Sequence, residues 1–98
     1  MENNYIEAIK REKNLDMFFN AILSLKNKEE CDKFFEDIFT AKELIDIPQR
    51  LEVAMLLLKG KTYQEVGNVS GASTSTITRV SRCIQYGRGG YRQIEERI

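Results

Sequence analysis

The stretch from Thr62 to Val80 constrains this chain more than any other. Thr62 and Glu65 stand in capping-box spacing, so a helix is expected to open at Thr62. Gly71 supplies the positive φ that a tight turn needs, and Gly67 reads as a point where a second backbone comes close. A second helix is expected over about residues 74–85. Val66, Ala72, Ile77 and Val80 fall where two crossed helices would bury them. Ser73, Thr74, Ser75, Thr76, Thr78 and Arg79 are left facing outward. Two short helices joined in this way form a helix-turn-helix, whose second helix enters the DNA major groove. A hydroxyl-rich face with one guanidinium suits base edges and phosphates better than an apolar partner. The competing reading is a purely structural helical corner.

The segments before this stretch are also helical in pattern. Leu15, Phe18, Phe19, Ile22 and Leu23 recur at amphipathic-helix spacing, and Cys31, Phe34, Phe35, Ile38 and Phe39 repeat it after a capping box of Asn27 and Glu30. Residues 1–13 are polar and read either as a loose arm or as a helix formed on assembly. Thr40 and Glu43 open a short helix over Ala41–Asp46, and Pro48 places a break at Ile47 before a helix from Gln49 to about Lys59. Gly60 then takes the C-terminal glycine position. Leu51, Val53, Ala54, Met55, Leu56, Leu57 and Leu58 cover most of that helix's circumference. In a 98-residue chain, such a helix is most easily covered by a second subunit. The aromatic stripes Phe18/Phe19 and Phe34/Phe35/Phe39 fit a plain core and a subunit interface equally well. Three glycines between Gly87 and Gly90 end the recognition helix, and a last helix is expected over residues 91–98. The expectation is therefore one all-α domain of six or seven helices: dimerisation helices over 14–60, the helix-turn-helix over 62–85, then the final helix.

Zero net charge at first argues against nucleic acid, but the distribution does not. Residues 1–47 carry 7 Lys/Arg against 11 Asp/Glu, and residues 48–98 carry 8 against 4. The basic half contains the outward hydroxyl face. No apolar stretch approaches the ~18 residues of a membrane span, and the polar start does not read as a signal peptide. Cys31 and Cys83 lie far apart with no histidine in the chain, which fits small, buried or half-buried hydrophobic thiols in a reducing cytoplasm and no metal site. No cofactor is expected. Catalysis finds no support either: no histidine can serve as base, and no glycine-rich phosphate loop follows a strand. The carboxylate pairs Glu29/Glu30, Glu36/Asp37 and Glu95/Glu96 fit solvated helix faces.

The runs Gln49-Arg50-Leu51, Lys59-Gly60 and Gly71-Ala72-Ser73-Thr74-Ser75-Thr76-Ile77-Thr78-Arg79 resemble the bacterial tryptophan repressor family. Arg82-Cys83-Ile84 and Tyr86-Gly87-Arg88-Gly89-Gly90-Tyr91 bring the chain nearest to that family's YerC/YecD-type branch. The resemblance spans about residues 15–98. It implies an intertwined, all-helical homodimer whose paired helix-turn-helix units meet successive major grooves of double-stranded DNA, about 34 Å apart. The family's base and phosphate contacts correspond to Thr74, Ser75, Thr76 and Thr78, with Ser73 and Arg79 beside them. Gln64 stands where the family carries an arginine aimed at DNA, and Gly67 replaces another basic position. Lys59, Lys61, Arg82 and Arg88 are then the candidates for phosphate neutralisation.

The family's corepressor pocket uses two arginines around the indole of tryptophan, and Arg50 and Arg79 match them. Val80 replaces a glycine beside the ring, and Cys83 replaces a serine that assists the ligand's amino group. Added bulk and a poor acceptor both argue against L-tryptophan. A different small effector, or none, is left open. The expected function is a sequence-specific DNA-binding regulator, acting as a repressor. The alternative is an interaction module that keeps the fold without specific DNA binding, with the acidic half and the aromatic stripes carrying its partner.

Overall fold

The structure is a computed structural model that describes residues 2–98, with side chains from Tyr5 onward. Six α-helices make up the described residues: α1 (Glu2–Leu23), α2 (Lys28–Ile38), α3 (Ala41–Leu58), α4 (Tyr63–Ser70), α5 (Thr74–Tyr86) and α6 (Gly90–Arg97). They fall into two compact units, divided after Ile38. No helix among the described residues is long and apolar enough to cross a membrane.

The N-terminal unit consists of α1 and α2. Residues 2–13, for which the sequence leaves arm or helix open, form the first half of α1. The Asn27 side chain caps α2 by accepting from the Glu30 amide at 2.9 Å. The Glu30 carboxylate reaches back to the Lys26 amide at 3.0 Å, one residue short of a reciprocal box. Phe18 of α1 meets Phe34 of α2 with ring centroids 6.2 Å apart, and Phe34 stands edge-on to Phe35 at 5.3 Å. No residue of α2 is buried, and Leu15, Phe19, Leu23 and Ile38 are all exposed.

The C-terminal unit is built on α3, which packs against α4, α5 and α6. Its buried residues are Val53 and Ala54 of α3, Val66 of α4, and Ile77 and Val80 of α5. Met55, Leu56, Leu57, Ala72, Ile84 and Tyr91 pack around them. Residues 66, 72, 77 and 80 thus lie inward, as their spacing requires.

The expected break at Ile47 does not form. Pro48 sits inside one continuous α3. A proline there removes the hydrogen bond its amide would give to the Leu44 carbonyl and costs about 3 kcal/mol in a helix interior. Two features on either side offset it. The Thr40–Glu43 box is reciprocal, with Glu43 N to Thr40 Oγ1 at 3.1 Å and Thr40 N to Glu43 Oε1 at 2.9 Å. Downstream, Val53 and Ala54 are wholly buried, which anchors the second half of the same helix. At its end, the Gly60 amide bonds to the Leu57 carbonyl (3.0 Å) and the Lys61 amide to that of Leu56 (3.2 Å). That pairing is a Schellman motif and stops α3 where Gly60 predicts.

A candidate nucleic-acid interface

The candidate interface is assembled from α4, the turn Gly71-Ala72-Ser73, and α5. Thr62 caps α4 through the predicted box: Glu65 N donates to Thr62 Oγ1 at 3.2 Å, and Glu65 Oε1 accepts from Thr62 N at 3.4 Å and from Thr62 Oγ1 at 3.0 Å. Gly71 ends α4 with φ of 71°, a left-handed conformation that would strain a residue with a Cβ. Gly67 does not serve the close approach expected of it. A Cβ there would meet Ile77 Cδ1 at 3.7 Å and the Ala72 carbonyl oxygen at 3.9 Å, both ordinary van der Waals distances. The glycine that does need its bare backbone is Gly87, where a Cβ would run into the Cys83 carbonyl.

Ser73 caps α5, its Oγ accepting from the Thr76 amide at 3.2 Å. That hydroxyl also donates to Thr76 Oγ1 and lies 3.1 Å from Ser75 Oγ. Ser73 and Thr76 therefore begin the helix as well as lining its surface, and Thr76 is half-buried. Thr74, Ser75, Thr78, Arg79 and Arg82 are exposed. Ser75, Thr78, Arg79 and Arg82 recur at i, i+3, i+4 and i+7, so they share one face, opposite Ile77, Val80 and Ile84. With Cys83 they border an open groove of about 460 Å3. The inward face of α5 thus rests on α3 and α4 while a hydroxyl and guanidinium stripe faces solvent.

The other candidate cations lie in the connections on either side of the two helices. Lys59 and Lys61 lie in the connection before α4, and Gln64 is exposed on its first turn. The Lys61 ammonium lies 4.0 Å from the Glu65 carboxylate, an exposed i,i+4 pair worth only a few tenths of a kcal/mol. Arg88 is exposed in the connection after α5.

The four residues matched to an effector pocket do not share one site. Val80 is buried beside Val53 and Val66. Cys83, expected to be buried or half-buried, is exposed on the α5 groove. It falls on the outward side of a helix whose inward positions are taken by Val80 and Ile84. Arg79 lines that same groove. Arg50 is half-buried and lines another cleft of about 290 Å3 with Lys42, Asp46, Gln49, Ser73 and Thr76. Lys42 is within 3.8 Å of Asp46 at its edge. Gln49 is a member that the sequence reading misses as a site residue. Its side-chain amide donates to the Ser70 carbonyl at 3.1 Å, a link between residues 21 apart that no local pattern signals.

Comparison with known proteins bears on this arrangement. The family model for Trp repressor protein matches residues 13–98. A Bacillus subtilis (strain 168) relative, "Uncharacterized protein YerC", is 49% identical over 88 residues, which is 90% of this chain and 85% of that one. Among solved structures, a "putative Trp repressor" from Staphylococcus aureus superimposes with a TM-score of 0.85 at 46% identity, covering 87% of this chain and 85% of its own. A TrpR-like protein from Eubacterium eligens ATCC 27750 gives a TM-score of 0.84 at 44% identity, covering 87% and 88%.

Proposed function

The chain belongs to the Trp repressor family, and from that premise we propose that it is a homodimeric regulator that binds double-stranded DNA sequence-specifically and represses transcription. The observation that carries this reading is the outward stripe of α5, which offers hydroxyls and guanidinium groups to solvent while its other face is locked into the core. Thr74, Ser75, Thr76 and Thr78 read base edges or hold phosphates at the start of the helix, and Ser73 aims it. Gln64, Lys59, Lys61, Arg79 and Arg82 contact the backbone on either side. Four cations per unit, eight per dimer, would set a log affinity–log salt slope of at most about −7.

A second copy is argued from the N-terminal unit. No residue of α2 is buried, and α1 leaves Leu15, Phe19 and Leu23 exposed. A helix pair with so little covered surface does not offset its own ordering entropy, and a matching pair from another copy supplies the missing cover. Two units then present α5 to successive major grooves.

The proposed regulator does not respond to tryptophan. Val80 occupies the core, and Arg50 and Arg79 border separate clefts. It is a binding protein, not an enzyme, and acts in the cytoplasm.

Selection of bound duplexes from a random library, followed by titration of the winner against random sequence, tests the proposal. A two-fold symmetric site bound on the order of 10³ times more tightly than random duplex is expected. Uniformly weak binding of every sequence would replace this reading with that of an interaction module. Zero net charge, with uncharged residues at Gln64 and Gly67, is the observation that favours that alternative.

A further inference from the structure

Three residues join α4 to α5, whose inward face packs on the core, and the side chains of Gln49 and Ser70 hydrogen-bond at this corner. The Gln49 side-chain amide crosses from α3 to donate to the Ser70 carbonyl at 3.1 Å, at a part-buried position. Ser70 ends α4, and its carbonyl is among those that a helix terminus leaves without an intrahelical partner. The Ser70 hydroxyl donates to the Val66 carbonyl at 2.6 Å and accepts from the Ala72 amide at 3.1 Å. One residue later Ser73 caps α5. An unbroken path therefore runs from α3 through Ser70 to the first turn of α5. Every other side-chain hydrogen bond named above spans four residues or fewer.

We propose that Gln49 is a positioning residue for DNA binding: through Ser70 it holds the turn that sets the direction of α5. The inference rests on the proposed DNA binding. Its physical content is a population argument. Without the link, the turn samples other geometries, and apparent affinity falls by the fraction of molecules still aimed correctly. A net hydrogen-bond contribution of ordinary size limits that loss to about fivefold. Gln49 is uncharged, so the number of phosphates neutralised does not change.

The test is Gln49→Met, which keeps the length and helix propensity of the side chain and removes its donor. Ser70→Ala is made alongside it, together with the double variant. Titrations use the full-length protein and a duplex selected with the wild type. The expected result is an affinity loss of about three- to fivefold for Gln49→Met at an unchanged salt slope, with faster amide exchange at Ala72. The double variant should lose less than the product of the two single losses, because both act on one turn. Wild-type affinity and unaltered Ala72 exchange in Gln49→Met would overturn the inference, as would losses that multiply. A wild type that binds no duplex would defeat the proposed function instead. Ala72 exchange would then still decide whether Gln49 holds the turn.

Discussion

Replacing Gly67 by alanine should stabilise the C-terminal unit, whereas the same change at Gly71 should destabilise it. Gly67 lies inside α4, where glycine costs about 1 kcal/mol relative to alanine. The new methyl would sit 3.7 Å from Ile77 Cδ1 and 3.9 Å from the Ala72 carbonyl oxygen, so nothing has to move. Contact with Ile77 adds a fraction of the ~0.8 kcal/mol that a fully buried methylene contributes. The net gain is about 1 kcal/mol, or roughly 4–8 °C in midpoint for a domain of this size. At Gly71 space is also available, since nothing lies within 4 Å of the added Cβ. There the φ of 71° decides the sign, at a cost of about 1–2 kcal/mol. Thermal unfolding followed by circular dichroism compares the variants at one fixed protein concentration, because the midpoint of the proposed dimer would depend on it. A Gly67→Ala protein less stable than wild type would mean that α4 and α5 approach more closely than these distances allow.

Two further outcomes follow from the interface. Ser73→Ala removes the acceptor for the Thr76 amide and should cost about 1 kcal/mol of stability with no DNA present; an unchanged urea midpoint would show that the cap does not hold α5. Lys61→Ala should weaken all duplexes alike and flatten the salt slope by about 0.9 per unit, or about 1.8 for a dimer, measured by fluorescence anisotropy across salt concentrations. A selective loss at the preferred site, with the slope intact, would remove Lys61 from the phosphate contacts.

Much of the fold is legible in the sequence because the signals are short-range. Thr40 with Glu43 and Thr62 with Glu65 each close within one helical turn, so spacing alone locates both helix starts. The inward set of Val66, Ala72, Ile77 and Val80 follows from helical period. Pro48 misleads because the rule against helix before proline is also local, whereas α3 is held through that point by a cap eight residues upstream and by burial at Val53 and Ala54. Gly67 misleads for a related reason: glycine in a helix marks either close approach or nothing, and only the distance to Ile77 distinguishes them. Within the candidate site, the exposed stripe of α5 can be read from periodicity. The Gln49–Ser70 link cannot, since it depends on how α3 and α4 pack.

On the proposed function, the outward face of α5 is the surface that meets DNA. Backbone amide shifts of the isotope-labelled protein, followed by NMR as the selected duplex is added, locate that surface. The largest changes are expected from Ser73 to Arg82, with Lys59 to Gln64 next and Glu29 to Asp37 of α2 unaffected. Changes concentrated on α2, with α5 silent, would exclude α5 as the DNA-binding face.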